Sequence, residues 1–416
     1  MRVRAINHGF RPLAAAFSLP QRRARSLRIA PDRAALGAVF LWLGCILLPG
    51  TAGAAENVVP VRMGLPPHGG FNRILVSVKV CKPGTSQCAT VDDVMIDTGS
   101  TGLRLQASAL PAGFTLPDAV GPDQKPLAEC LHFVSSRAWG GVVHADLTLG
   151  GMSAQNLPIQ VIGDATRPRP DDCPPSASAP TSNGTLGIGI RPFDCTGACT
   201  ASARMPLVYT CDAVSCAPLE GSVDQAYRVP NPVTRFKVHS NGIVLEFPDA
   251  PDGGAAAIDG TLTLGVETAD NNRLGSAQRQ MLGPNGLFTT LYGGRTYPGS
   301  YIDSGTATYA FADDQLPTCP VKTAGYCLQP TATLDATMVG RNQATIPMTF
   351  KVGNYQTQRA NNVGASDSLA VKAQPDSPAF VWGAPFFLGK RIFLLIDGQS
   401  LPTDGSVTGP LYAIAP

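Results

Sequence analysis

A twelve-residue pattern occurs twice in the chain, and this repetition constrains the fold more than any other feature. The first copy, residues 94–105, reads VMIDTGSTGLRL, and the second, residues 300–311, reads SYIDSGTATYAF. Both place an apolar approach before an aspartate, then a hydroxyl residue, a glycine and another hydroxyl residue. The two aspartates, Asp97 and Asp303, are 206 residues apart. Such self-similarity predicts two related halves, each with one copy of the motif.

A glycine signature follows each copy of the motif at a similar distance. Residues 185–187 read TLG in the first half, and residues 381–383 read VWG in the second. Gly187 lies 90 residues after the first aspartate and Gly383 lies 80 residues after the second. The repetition therefore extends beyond the aspartates to whole domains.

The composition favours strands joined by turns. The 416 residues include 44 glycines and 37 prolines, which interrupt helices, and only 15% are charged. Residues 72–80 alternate polar and apolar side chains, and residues 91–96 run apolar into Asp97, so a hairpin is expected to deliver this aspartate. Residues 142–151, 159–162, 243–247 and 261–265 give further strand patterns, and no long helical pattern occurs. We predict a mainly β protein.

The N-terminal segment has the character of an export signal. Eight arginines and one acid lie in residues 1–55, followed within that segment by the apolar run 34–48 and the small residues that precede Ala54 and Ala55. An uncleaved anchor is the alternative, but fifteen apolar residues are fewer than the roughly 20 that span a bilayer. The residues before Cys45 match a lipidation signal poorly, and the residues after Arg22 and Arg23 match a twin-arginine signal poorly. We predict a signal peptide over residues 1–55, a periplasmic or extracellular product, and no membrane anchor after cleavage.

The mature chain has the wrong charge for a nucleic-acid partner. Removing residues 1–55 leaves 24 basic and 29 acidic side chains, a net charge of −5. Proteins that follow a phosphate backbone need the opposite sign.

Ten cysteines remain after signal cleavage, and an even number in an exported chain predicts disulfides. Their order suggests four short loops, with the two remaining cysteines closing a longer one: Cys81–Cys88, Cys195–Cys199, Cys211–Cys216, Cys319–Cys327 and Cys130–Cys173. Spacing alone does not fix the pairing, and a four-cysteine zinc site is the alternative. Zinc sites of that kind are typical of reducing compartments, and the four mature histidines show no metal-binding spacing, so we expect no metal.

The paired motifs resemble those of pepsin-like (A1-type) aspartic peptidases. Within that fold the chain is similar to a family of exported bacterial proteins described only as a domain of unknown function. The resemblance covers nearly all of the mature chain, through residues 383–397. It implies two related β-rich lobes with the active-site cleft between them. Residues 56–240 would form the N-terminal lobe with the first catalytic aspartate and a flap, and residues 241–416 the C-terminal lobe with the second.

The resemblance implies a catalytic pair formed by Asp97 and Asp303. Two carboxylates about 3 Å apart cannot both ionise, so they share one proton, and one acts as base toward water while the other acts as acid toward the substrate carbonyl. Hydroxyl and backbone groups of the motifs would cross-link the lobes and bond the carboxylates: Thr98, Gly99, Ser100, Ser304, Gly305 and Thr306. The alternative is that each aspartate only stabilises a turn after a strand.

The flap departs from the family pattern. Pepsin-like enzymes place a tyrosine over the dyad, but no tyrosine occurs between Gly99 and Cys173. Phe133 and Trp139 are the candidates for this substrate-covering position, and a core aromatic beneath the flap is the alternative for Trp139. Arg104 also stands where the family usually has tryptophan.

Two functions follow from these features. The first is a secreted or periplasmic aspartic endopeptidase that binds an extended peptide and works as a monomer without a cofactor. The second is a catalytically weak or inactive binding or inhibitory protein of the cell envelope that keeps the bilobal fold. The retained aspartates favour the enzyme, and the altered flap favours the binder.

Overall fold

The computed structural model describes residues 55–133, 136–176, 179–194, 207–220, 223–320 and 324–416. The predicted signal peptide, apart from its last residue, lies outside these ranges. In the described ranges no helix has both the length and the apolar character needed to cross a bilayer.

The strands of the first half begin soon after residue 55 and follow the patterns expected from the sequence. The segment 72–80 forms β2, and the apolar segment 91–96 lies within β3, which ends on Asp97. The bounds are β1 (Val58–Gly64), β2 (Arg73–Cys81), β3 (Cys88–Asp97), β4 (Thr101–Gln106), β5 (Leu127–His132), β6 (Arg137–Leu149), β7 (Met152–Ile162), β8 (Gly184–Ile188), β9 (Val208–Cys211) and β10 (Cys216–Pro218).

The second half is also built mainly from strands, which confirms the predicted fold class. They are β11 (Gly242–Phe247), β12 (Ala257–Leu264), β13 (Gln278–Met281), β14 (Phe288–Tyr292), β15 (Arg295–Ile302), β16 (Tyr309–Phe311), β17 (Cys327–Val339), β18 (Thr345–Asn354), β19 (Ala370–Lys372), β20 (Val381–Trp382), β21 (Lys390–Leu395), β22 (Ser400–Leu401), β23 (Asp404–Thr408) and β24 (Leu411–Ala415). The described residues also include a short α-helix, α1 (Tyr355–Ala360), and 3₁₀ turns at Ala107–Ala109, Gln225–Tyr227, Pro232–Arg235, Asp270–Asn272 and Ala384–Phe387.

A single sheet joins the two halves. Among the described residues, fifteen strands follow the order β10-β9-β5-β6-β7-β4-β8-β3-β2-β1-β12-β11-β21-β24-β13. The crossing point is the antiparallel pair β1–β12, in which Val58 lies opposite Thr263 and Gly64 opposite Ala257. The strands of the two lobes are therefore connected by backbone hydrogen bonds as well as by the chain.

The two aspartate motifs lie in equivalent strand arrangements. β3 pairs in parallel with β8, which pairs antiparallel with β4, and β15 pairs in parallel with β20, which pairs antiparallel with β16. The glycine signatures explain this packing. A Cβ atom on Gly187 would lie 2.7 Å from the backbone of Thr101, and one on Gly383 would lie 2.1 Å from the carbonyl oxygen of Thr308. Only glycine lets these strands approach so closely.

Four of the predicted cysteine pairs are disulfides in the structure: Cys81–Cys88, Cys130–Cys173, Cys211–Cys216 and Cys319–Cys327. The predicted pair Cys195–Cys199 lies outside the described residues. Three of the four close loops of eight residues or fewer along the chain, whereas Cys130–Cys173 joins residues 43 positions apart. This bond ties the flap strand β5 to the loop after β7.

The long-range disulfide is expected to stabilise the fold more than a short one. Loop-closure entropy predicts that the Cys130→Ala/Cys173→Ala variant loses about 4 kcal/mol, against about 2 kcal/mol for the Cys81→Ala/Cys88→Ala control. Urea denaturation of both variants measures the difference. Equal losses of stability in the two variants would contradict the entropic account. Separately, non-reducing peptide mapping of the wild type should find all five predicted pairs.

Candidate active site

The structure brings Asp97 and Asp303 together at the floor of a cavity of about 940 Å³. Asp97 is the last residue of β3, and Asp303 directly follows β15. Their carboxyl groups are within hydrogen-bond distance of each other. A Cβ atom on Gly99 would lie 2.7 Å from Oδ1 of Asp303, and one on Gly305 would lie 2.6 Å from Oδ1 of Asp97, so glycine is required on both sides of the pair.

Each carboxylate accepts the same pair of hydrogen bonds from its own motif. The Gly99 N–H donates to Oδ1 of Asp97 at 2.8 Å, and the Ser100 hydroxyl donates to Oδ2 at 2.5 Å. In the second motif the equivalent donors of Asp303 lie at 2.8 and 2.6 Å and are the Gly305 N–H and the Thr306 hydroxyl. The repeated sequence thus becomes a repeated geometry. These bonds fix the orientation of both carboxyl planes.

Thr98 and Ser304 cross-link the two motifs directly below the carboxylates. The Thr98 N–H donates to Oγ of Ser304 and the Ser304 N–H donates to Oγ1 of Thr98, both at 3.0 Å. The Ser304 hydroxyl donates in turn to the carbonyl oxygen of Ile96 at 2.8 Å. Both side chains are buried. Buried, reciprocal bonds of this kind hold the two loops at one separation.

Burial makes the ionised dyad costly. Loss of solvation, followed by the neighbouring charge of Asp303, raises the pKa of Asp97 from 3.8 to about 7, while the Ser100 hydroxyl and Gly99 N–H oppose the shift. Because the carboxyls interact, they titrate as a pair. The pair therefore retains one proton under weakly acidic conditions.

This shift predicts that the dyad destabilises the fold as the pH rises. Between pH 4 and 7 the unfolded chain has released the proton that the folded dyad retains, so the free energy of unfolding falls with pH. The dyad should account for up to roughly 4 kcal/mol of that fall. Asp97→Asn should remove this contribution, measured by urea denaturation of both proteins at several pH values. Parallel stability–pH curves for the two proteins would contradict the shift.

Phe133 lies at the tip of the hairpin formed by β5 and β6 and lines the cavity. The turn is closed by a hydrogen bond from its N–H to the carbonyl oxygen of Ser136. Its half-buried ring contributes apolar surface to the cavity, but it has no hydroxyl to donate.

The structure places Trp139 on the opposite side of the flap. Because side chains alternate along a strand, Ala138 faces the cavity, and the Trp139 ring packs edge-on against Tyr209 near the Cys130–Cys173 disulfide. Its indole N–H donates to the carbonyl oxygen of Arg167 at 3.1 Å. Trp139 is buried and is not among the residues that line the cavity. The prediction that it covers the substrate is therefore wrong, and the alternative, a core aromatic beneath the flap, is the arrangement in the structure.

In the sequence, Arg104 stands out only because the related family usually has tryptophan there, and its role was not predicted. Its side chain is fully buried, and Nη2 lies 3.2 Å from Oε2 of Glu129 and 2.8 Å from Oδ2 of Asp194. Glu129 lies on the flap strand β5, and Asp194 lies in the loop after β8. The Arg104–Glu129–Asp194 cluster therefore ties the base of the flap to β4, at the end of the first copy of the motif. The one available signal was a charged residue in an otherwise uncharged strand.

The cluster holds two carboxylates against one guanidinium. Burial and the adjacent Asp194 raise the pKa of Glu129 well above its ordinary value, and Arg104 opposes the shift only in part. A protonated Glu129 leaves one cation and one anion in the buried site, which is the balanced arrangement. The flap base is thus held by charge-assisted hydrogen bonds.

Removing the buried guanidinium should be strongly destabilising. Arg104→Met leaves two buried carboxyl groups without their partner, which is expected to cost about 3–5 kcal/mol. The control Arg273→Met removes an exposed guanidinium that pairs with Asp270 and, at 3.9 Å, with Glu267, and should cost less than about 1 kcal/mol. Urea denaturation compares them, and adding Glu129→Gln and Asp194→Asn to Arg104→Met should recover part of the loss. Similar losses for the two single variants would contradict a structural role for the cluster.

Within the described residues, no group of three or more His, Cys, Asp or Glu side chains is arranged to hold a metal ion.

The family model "Protein of unknown function (DUF3443)" matches residues 53–414. The chain belongs to this family. Among solved structures, it is similar to the aspartic proteinase from Irpex lacteus, with a TM-score of 0.53 and 14% sequence identity over 87% of this chain and 97% of that one. This likeness shows that the fold is pepsin-like. A search of curated proteins found no match.

Proposed function

We propose that this protein is an aspartic endopeptidase of the periplasm or the extracellular space. The observation that carries the proposal is the symmetric carboxyl pair, in which Asp97 and Asp303 hydrogen-bond to each other and each accepts one N–H and one hydroxyl bond. Aspartates that only stabilised turns would not need to meet in a buried position. The fold and the membership of the family are compatible with this chemistry, but do not by themselves specify it.

The pair supplies both proton-transfer roles that peptide hydrolysis needs. The ionised carboxylate takes a proton from a water molecule as the water oxygen attacks the scissile carbonyl carbon. At the same time the protonated carboxyl of the pair donates its proton to the carbonyl oxygen. When the tetrahedral intermediate collapses, the C–N bond breaks and the newly protonated carboxyl gives a proton to the departing nitrogen. One hydroxyl of the diol gives its proton to the other carboxylate as the carbonyl double bond re-forms, so the product has a carboxyl group and one proton again lies on the pair. The raised pKa of Asp97 keeps that proton available in weak acid.

The cavity has the size and lining to accept a short extended peptide. It runs between the flap hairpin, which contributes Phe133, and the dyad, and it also includes Leu287 and Tyr301 from the second half. An extended peptide bound there would form strand-like backbone hydrogen bonds and place side chains against apolar surface. The proposed partner is therefore a peptide or an unfolded segment of a protein, handled by a monomer with lobes 56–240 and 241–416.

The four disulfides support export. They persist in oxidising compartments, and the N-terminal segment has the composition of a signal peptide.

A peptide-binding or inhibitory protein is the second candidate. The observation that favours it is the flap, where Phe133 offers no hydroxyl over the dyad and Arg104 ties the base of the hairpin to β4. A firmly held flap would bind peptides without completing the geometry for hydrolysis. The dyad would then be an inherited structural feature.

Substitution of the dyad separates the two candidates. Asp97→Asn and Asp303→Asn should each lower peptidase activity by several orders of magnitude, because each removes one of the two proton-transfer roles, while Asp259→Asn at an exposed position of β12 should leave it unchanged. Cleavage of denatured proteins from about pH 3 to 7, with and without pepstatin, measures this. Activity should fall as the pH rises and the dyad loses its proton.

Cleavage that survives both dyad substitutions would refute the mechanism. Binding of peptides without cleavage at any pH would establish the second candidate instead. Circular dichroism of each variant shows that loss of activity is not loss of folding.

A further inference from the structure

The lining of the cavity is strongly basic apart from the dyad. Its basic side chains include four arginines, Arg73, Arg137, Arg169 and Arg191, and His132 lines it beside them. The acids that line it are Asp97, Asp303 and Asp194. Asp194 is already bonded to the buried Arg104 at 2.8 Å.

Arg73 places a guanidinium beside the dyad. It lies at the start of β2, and its Nη1 donates to the carbonyl oxygen of Gly305, the glycine that follows the second motif's aspartate and serine. Within the described parts of the chain, no carboxylate lies within 4.0 Å of it. Burial lowers the pKa of Arg73, and the charges of Asp97 and Asp303 oppose that effect. A cation kept this deep in a cleft without a close carboxylate partner is costly unless the site uses it.

Arg137 and Arg169 extend the positive charge along the flap side. Arg137 begins β6 at the flap tip, where its Nε donates to Nδ1 of His132 at 3.2 Å. Arg169 donates from Nη1 to the carbonyl oxygen of Cys173 at 3.1 Å, so the disulfide loop holds it in place. Neither arginine forms an ion pair with any described carboxylate. Both line the cavity and are solvent-exposed.

The positive lining contrasts with the charge of the whole molecule. The mature chain carries a net charge of −5, so the basic residues of the cleft are a local concentration of charge and not a sample of the general surface. A cleft with one sign of charge and low-dielectric walls focuses its field and attracts ligands of the opposite sign. Arginine is suited to carboxylates, because its planar donors match both oxygens.

We propose that the cleft selects acidic peptides, in which Asp or Glu side chains flank the bond placed over the dyad. That a peptide bond is cleaved over the dyad rests on the proposed function, whereas the preference for binding acidic peptides does not require cleavage. Arg73 contacts a carboxylate beside the dyad, and Arg137 and Arg169 contact carboxylates farther along the chain of the ligand. An uncharged apolar peptide of equal length leaves these guanidinium groups without partners and binds more weakly.

Matched peptides test the preference. A fluorescent peptide with Glu at positions flanking an apolar centre is compared with the same peptide carrying Gln, by fluorescence polarisation and by cleavage, with the full mature protein at about pH 5. The Glu peptide should bind at least tenfold more tightly, and added salt should reduce the difference because the contacts are electrostatic. Arg73→Gln and Arg137→Gln/Arg169→Gln should each reduce the Glu/Gln ratio severalfold. Arg279→Gln, an arginine on β13 outside the cavity, is the matched control and should leave the ratio unchanged.

The outcomes separate this inference from the proposed function. Preferential binding of the Glu peptide without cleavage supports the acidic preference and overturns the peptidase. Cleavage with equal rates and affinities for the Glu and Gln peptides overturns the preference and leaves the peptidase standing. Tighter binding of a sulfated polysaccharide than of the Glu peptide also overturns it, because the cleft would then select a different anionic polymer. Arg73→Lys keeps the charge, so it should retain more of the preference than Arg73→Gln, and circular dichroism of both variants checks that they fold.

Discussion

The reciprocal hydrogen bonds between Thr98 and Ser304 are the interaction on which the rest of the site depends. They join two loops from opposite halves of the chain, 206 residues apart, at the point where both aspartates emerge. Without them the two loops would lose the buried hydrogen bonds that set their separation. With them the carboxyls are held within hydrogen-bond distance, and Gly99 and Gly305 provide the space that this proximity needs.

The fixed separation has an electrostatic consequence. Burial and proximity favour one shared proton, which makes the dyad useful as an acid and a base but unfavourable for stability once that proton is lost. A second group of buried ionisable side chains occurs where Arg104 pairs with Glu129 and Asp194. Buried ionic groups stabilise only when their partners are complete, so both places are sensitive to single substitutions. The shared sheet across β1 and β12 supplies the rigid base that keeps these groups in position.

Sequence patterns were informative where a local rule controls the structure. The hairpin that delivers Asp97 follows from alternation in 72–80 and the apolar run before the aspartate, and the short cysteine loops follow from close spacing. The aromatic residue of the flap could not be assigned from the sequence. Counting along the chain could not separate Phe133 from Trp139, because the side of a strand that each ring occupies depends on the register of β5 with β6 and on the packing of Tyr209.

The sequence by itself determined that two equivalent aspartate motifs exist, that each lies at the end of a strand, and that glycine must follow. These properties are local, and the same short-range sterics and hydrogen bonds act in both halves. Only the tertiary structure decided that the carboxyls meet, that Arg104 pairs with Glu129 and Asp194, and that Arg73, Arg137 and Arg169 line one cavity. Those contacts join residues distant in the chain, and their energies depend on burial, which no local pattern reveals.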